Sequence, residues 1–254
     1  MSVKLKIFLI TYDRLIDRAI EKLTETEKEN IVCYTVQKNI PKNIVDGVLI
    51  VNEWELFWND YTYQQKQYYE YGSFVHLLNN EYLIEGLTHI GILHYDIIFK
   101  ENSISNIIDY IEDKNKIFYN KIRYYNELYL TPFELFNICE FLNKRLNVNI
   151  NYEFILNNGW ISECLSVVPI EIFKNFAKFI QEYRTDIENI LLNNMWGIMN
   201  VIPHRMCGII ERMWGIYLVS SGMELKQFDI IHDWNYYKHK HQEEKNIINN
   251  GKYN

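Results

Sequence analysis

No Cys-x-x-Cys pair occurs in the chain: Cys33, Cys139, Cys164 and Cys207 are scattered. That spacing argues against a zinc site and for a reducing compartment with free, mostly buried thiols. No apolar run approaches a membrane span. The amino-terminal residues lead straight into a strand pattern without a signal peptide, so the expected setting is cytoplasmic. Neither the dinucleotide fingerprint Gly-x-Gly-x-x-Gly nor the Walker A pattern is present, which disfavours a dinucleotide Rossmann domain or a P-loop enzyme. The net charge is −7 and the longest basic cluster is Lys238-His239-Lys240-His241, which argues against a nucleic-acid duplex as partner. Prolines number only four, and Pro41, Pro132, Pro169 and Pro203 all mark breaks or helix starts.

What remains is a chain of 254 residues that is 48% hydrophobic, enough to build one large α/β domain. Lys6 to Ile10 and the β-branched Ile31 to Val36 read as strands. Ile16 to Lys28 between them is helical, and Gly47 to Val51 is a third strand. Trp54, Phe57 and Trp58 precede a helix expected over residues 62–84, with Tyr71, Phe74, Val75 and Leu78 inward and Gly86 as its stop. Ser103 can cap a helix burying Ile104, Ile107, Ile108 and Ile111. Lys116 to Tyr119 is a strand, and Tyr124 to Leu130 is extended. Thr131-Pro132-Phe133-Glu134 has the order of a capping box. A strand over Trp160 to Val168 carries one acid, Glu163, and Pro169 opens the next helix. A helical segment follows over 187–201, and a last helix over 204–219 buries Met206, Ile209, Ile210 and Met213. Residues 237–254 read as a polar tail, which leaves one domain over 1–236.

The chemistry concentrates at the end of one strand. After Gly86 the run from Gly91 to Leu93 ends in His94-Tyr95-Asp96 before Ile97, Ile98 and Phe99 resume. In open α/β sheets ligands bind outside the carboxyl ends of the strands. The side chains of His94 and Asp96, at i and i+2 of an extended segment, share a face. Such a carboxylate can hold a hard divalent cation against a diphosphate, or it can simply cap a turn. Glu163, alone in an apolar strand, either faces solvent by alternation or projects into a pocket. Arg205 and Arg212 lie seven apart on one side of the last helix, with Gly208 and Gly215, as a cationic clamp or as a packed face.

Several spaced blocks carry a resemblance. Tyr68-Tyr69-Glu70-Tyr71-Gly72-Ser73, His89-Ile90-Gly91-Ile92-Leu93-His94-Tyr95, Trp160-Ile161-Ser162-Glu163 and Arg205-Met206-Cys207-Gly208 occur in order over residues 60–220. Together they resemble the capsular-polysaccharide-type glycosyltransferase-like proteins of bacteria and viruses, which carry a His-Tyr-Arg or Gln-Tyr-Asp motif. His94-Tyr95-Asp96 itself is similar to the Asp-x-Asp metal motif of GT-A glycosyltransferases, with His94 standing where the first Asp would be.

The resemblance implies a single GT-A-like, Rossmann-like α/β domain with a mixed, mostly parallel central sheet flanked by helices. It implies transfer of a sugar from a nucleotide-sugar donor, most simply a UDP-sugar, to a saccharide hydroxyl. Mn²⁺ or Mg²⁺ on Asp96, His94 and His232 would assist departure of the diphosphate. Thr11, Tyr12, Asp13, His94, Tyr95, Arg205 and Arg212 would bind the nucleotide-sugar, and Trp160 and Glu70 the acceptor. Glu163 would take the acceptor proton if the reaction inverts. The alternatives are a catalytically silent carbohydrate-binding protein on the same shell and a nucleotide-sugar hydrolase.

Overall fold

A computed structural model describes residues 3–11, 17–36, 38, 45–64, 68–111, 116–124, 131–192 and 205–232. The expected tail at 237–254, the extended segment 125–130, Tyr12, Asp13 and His204 lie outside the described residues, as does the segment 193–201.

The apolar runs found in the sequence become adjacent strands. β1 (Leu5–Thr11) pairs in parallel with β2 (Ile31–Thr35) and with β4 (His89–His94), and β2 pairs in parallel with β3 (Leu49–Asn52). β7 (Trp160–Pro169) runs antiparallel to β4. β6 (Lys116–Arg123) is antiparallel to β7 and parallel to β8 (Glu224–Gln227). The order β3-β2-β1-β4-β7-β6-β8 makes a seven-stranded, mixed, mostly parallel sheet. β1, β2 and β4 are buried almost throughout, as near-continuous apolar runs require when both faces are covered.

One face is covered by α3 (Glu70–Asn79), α5 (Pro132–Leu146), α7 (Ile170–Glu182) and α9 (Arg205–Val219), around Phe74, Phe173, Phe176 and Trp214, with α6 (Tyr152–Asn158) packed on α5 and α8 (Arg184–Leu192) on α7 and α9. The other face buries Ile7, Leu9, Ile104, Ile107 and Ile111 beneath α1 (Asp17–Ile20) and α4 (Ser103–Tyr110). A separate two-stranded ribbon pairs β5 (Ile97–Phe99) with β9 (Ile230–His232), setting Ile97 opposite His232. This pairing brings the carboxyl-terminal part of the described chain to the end of β4.

Three local expectations are corrected. The helix expected over 62–84 is only α3. Residues 61–64 form a turn that folds back so closely that a Cβ on Gly72 would stand 2.2 Å from the Tyr63 carbonyl oxygen. Tyr69 at the N-cap has φ +47°, and Asn80 ends the helix by bonding the Trp58 backbone through both side-chain atoms. The helix expected from Ile16 to Lys28 is two single turns, α1 and α2 (Glu25–Lys28), the second started by a Thr24/Glu27 capping box. Ser103 is the first residue of α4 rather than its cap. Glu27 accepts the Ile104 and Ser105 N–H groups at 3.1 and 3.0 Å, so the cap comes from across the fold. The capping box at Thr131 and Glu134 stands as read.

Candidate active site

β4 ends at His94, and the turn Tyr95-Asp96 carries the chain into β5. His94 and Asp96 therefore sit where the parallel neighbour β1 also ends, with Ile10 opposite His94. Five further elements, α3, α9, β9, β6 and the β7 strand that carries Glu163, converge on them. α3 begins with Glu70, whose Oε1 lies 3.3 Å from His94 Nε2. From α9, Cys207 donates its thiol to the same Glu70 oxygen at 3.5 Å. β9 delivers His232, whose Nε2 is 2.9 Å from Asp96 Oδ2 and whose Nδ1 is 3.1 Å from Glu163 Oε2. β6 supplies Asn120, which donates to Glu163 Oε2 at 3.0 Å, and Arg123, 3.4 Å from Glu163 Oε1.

The charges alternate along this chain: Glu163, His232, Asp96, His94, Glu70. His232 faces a carboxylate with each ring nitrogen, so both nitrogens must donate and the ring is an imidazolium. Burial opposes that charge, yet the hydrogen bonds to Asp96 and Glu163 raise its pKa to about 9. Burial likewise opposes protonation of His94, and Glu70, Asp96 and Glu163 outweigh it to give about 9. The acids respond in the opposite sense. Burial would raise Glu163, but His232, Asn120 and the His94 charge bring it down to about 2. Asp96 and Glu70 are also lowered against burial, by His232 and His94 respectively. Glu211 differs: burial raises it, and Arg212 and the Glu163 amide offset only part of the rise.

A cleft of about 350 Å³ opens on this cluster, lined by Asn120, Lys121, Arg123, Glu163, Gln227 and His232. A cleft of about 400 Å³ on the other side of Gln227, between α4 and β8, has no imidazole in its wall.

The backbone at Glu163 is unusual. Its φ is +62°, a left-handed conformation that costs a non-glycine residue of order 1–3 kcal/mol and that clusters at functional sites. The β6–β7 register shifts there, so Glu163, Cys164 and Leu165 stand opposite the single residue Asn120. This is a bulge in the sense that re-aims a side chain.

The structure thus brings together His94, Asp96, Glu163, His232 and Glu70. Glu70, expected near an acceptor, is 6% exposed and turned to His94. Trp160, also expected there, is corrected: it is fully buried in the core and has no open face on which a sugar ring can stack. Thr11 is buried at the end of β1, and Tyr95 is half-buried beside Asp96. Arg212 is 7% exposed and donates to the Gly208 carbonyl one turn back, so it does not line the cleft. Arg205 starts α9, and its side chain is outside the description. Asn120, Arg123 and Gln227 are the residues that sequence reasoning missed. A strand ended at Tyr119 hides the alternation that carries Lys121 and Arg123.

Among the described residues, no group of three or more His, Cys, Asp or Glu side chains is arranged to hold a metal ion. His232 has both nitrogens committed to carboxylates. Asp96 Oδ1, in contrast, is buried and has no hydrogen-bond partner among the described residues. One carboxylate oxygen suits a Mg²⁺ or Mn²⁺ that is held mainly by substrate phosphates and water.

No protein-family model matches the chain, and no curated protein matches it. Among solved structures it is similar to the apo structure of WbbM, a bifunctional glycosyltransferase, with a TM-score of 0.58 over 91% of this chain. The fold is GT-A-like. Sequence identity is 14%, so the likeness is one of fold, and the match spans 46% of the WbbM chain. In that GT-A-like frame the cluster stands at the carboxyl end of the parallel strands, where such sheets bind ligands. No helix among the described residues is long and apolar enough to cross a membrane.

Proposed function

We propose that the chain transfers a sugar from a nucleotide-sugar donor to a saccharide hydroxyl. The observation that carries this reading is the alternating run of carboxylates and imidazolium rings at the end of β4, whose Glu163 and His232 line a cleft in a GT-A-like fold. Departure of a nucleoside diphosphate builds negative charge, and fixed cations aimed at that charge stabilise it. His94, His232 and Arg123 are those cations. Asp96 orients His232 and offers Oδ1 to a Mg²⁺ or Mn²⁺ carried by the diphosphate, which would add Lewis-acid charge stabilisation. Glu163 takes the proton of the acceptor hydroxyl, and Asn120 and Gln227 give that hydroxyl a polar wall.

One observation favours a second reading, a carbohydrate-binding protein without turnover. Against its burial, Glu163 is held at about 2 by His232, Asn120 and the His94 charge, which makes it a weak base.

A panel of nucleotide-sugars with and without Mn²⁺, followed by thermal shift, tests both. A ligand at 100 times its Kd adds about 2.7 kcal/mol. In a domain of this size that raises the midpoint by roughly 5–10 °C. Transfer of the bound sugar to a saccharide, abolished by Glu163→Gln with donor binding kept, supports the transferase. Donor hydrolysis without transfer marks a hydrolase. Binding of saccharide alone supports the silent protein, and no shift with any nucleotide-sugar rejects the transferase.

A further inference from the structure

The amide N–H of Glu163 has left the β-ladder. At the bulge, residues 163–165 have no register partner of their own on β6, and the β4–β7 pairing reaches only Ser166. The N–H instead donates to Glu211 Oε1 at 2.9 Å. Glu211 is on α9, half-buried, and α9 lies hard against β7. A Cβ on Gly215, one turn further on, would stand 1.7 Å from the Ile161 carbonyl oxygen. This contact fixes the distance between the helix carrying Glu211 and the strand carrying Glu163. With φ at +62°, the Glu163 side chain turns to His232, Asn120 and Arg123 in the cleft wall.

We infer that Glu211 is a positioning residue. Its carboxyl oxygen captures the N–H that the bulge releases and holds residue 163 in the left-handed conformation that aims the Glu163 carboxylate at His232 and the cleft. Left-handed backbone at a non-glycine residue persists only when its surroundings over-determine it. A buried N–H without an acceptor is itself costly. Glu211 meets both needs with one oxygen. The kinetic part of the test rests on the glycosyl-transfer reading above, while the spectroscopic part stands without it.

The test compares Glu211→Gln, whose amide oxygen still reaches the Glu163 N–H, with Glu211→Asn, one methylene shorter, and Glu211→Leu, which has no acceptor. Proton and nitrogen spectra of His232 are read in each, because the Nδ1 proton reports the bond to Glu163 and the Nε2 proton the bond to Asp96. The Asn and Leu variants should lose the Nδ1 signal and keep the Nε2 signal, and Gln should keep both. In turnover, misplacing a reacting group by about 1 Å can cost of order 10²-fold, so kcat should fall by about that factor in Asn and Leu with donor KM little changed. Gln should restore kcat to within about fivefold on the same reasoning. Should the Leu variant not fold, the Gln–Asn comparison decides alone. Equal Nδ1 signals in Gln and Asn, or equal kcat in the two when the wild type turns over, overturn the inference. A wild-type chain without turnover that still shows the selective Nδ1 loss rejects the transferase reading and leaves the positioning role standing.

Discussion

Replacing His232 with alanine strands two carboxylates at once. The ring is 10% exposed and bridges Asp96 and Glu163, whose side chains are 7% and 13% exposed. Removing one partner of a buried ion pair costs about 3–5 kcal/mol, chiefly because the other charge stays buried and unpaired. Glu163 retains Asn120 at 3.0 Å and Arg123 at 3.4 Å, and His94 Nδ1 lies 3.9 Å from Asp96 Oδ1. These residual contacts put His232→Ala at the low end, about 3 kcal/mol, or roughly 6–12 °C in thermal midpoint for a domain of this length. The assay is urea and thermal unfolding at neutral pH of wild type, His232→Ala, Glu163→Gln and the double variant. If stranded charge is the cause, adding Glu163→Gln to His232→Ala recovers about 1 kcal/mol or more, because the neutral amide no longer needs a cation. A single-variant cost below about 1 kcal/mol, or a double variant with strictly additive loss, refutes the imidazolium bridge.

Two further outcomes follow from the same structure. His94 and His232 are raised from 6.5 to about 9, so the stability they contribute is complete below about pH 6.5 and is lost as pH rises through about 9. Glu163 is lowered from 4.5 to about 2, so its contribution is complete above about pH 4.5 and is lost as pH falls toward 2. The thermal midpoint should therefore decline from about pH 7 to 9.5 and again below about 4, and a midpoint that climbs steadily through the alkaline range contradicts the assigned charges. Gly215→Ala puts a methyl group 1.7 Å from a backbone oxygen of β7, which only a shift of α9 can relieve. We expect a loss of about 3 kcal/mol or more by unfolding, and an unchanged midpoint would show that α9 is not clamped on the strand.

Much of the sheet was legible because it is encoded locally. β1, β2 and β4 are short apolar runs, and α5 announces itself through Thr131, Pro132 and Glu134. His94 and Asp96 followed from the rule that strand ends hold ligands, and Glu163 from being the lone acid in its strand. The remainder depends on partners distant in sequence. Nothing local marks Ile97 as the mate of His232, or Glu27 as the cap of α4. The left-handed turn at Glu163 is not written in a propensity, since glutamate gives no reason to expect it. It is imposed by a bulge against Asn120 and by a carboxylate on another helix. The apolar stripe Tyr71, Phe74, Val75 and Leu78 marks α3 itself but not its start, because the chain reversal at 61–64 that packs on Gly72 depends on a close approach that no local pattern announces.

The ion network constrains any account of turnover. Glu70, Asp96 and Glu163 carry three negative charges, balanced by His94, His232 and Arg123. Such a set is stable as it stands, and its stability is what makes Glu163 a poor base: the hydrogen bond and charge of His232 are the leading forces holding its pKa down. An anion that draws His232 toward itself removes both, and the Glu163 pKa must then rise toward its ordinary value. On the proposed reading the departing diphosphate is that anion, so donor binding and the basicity of Glu163 are coupled through one imidazolium. The coupling is reciprocal, so Glu163→Gln should lower kcat by removing the base while, by releasing His232 from its carboxylate, it tightens rather than weakens donor binding.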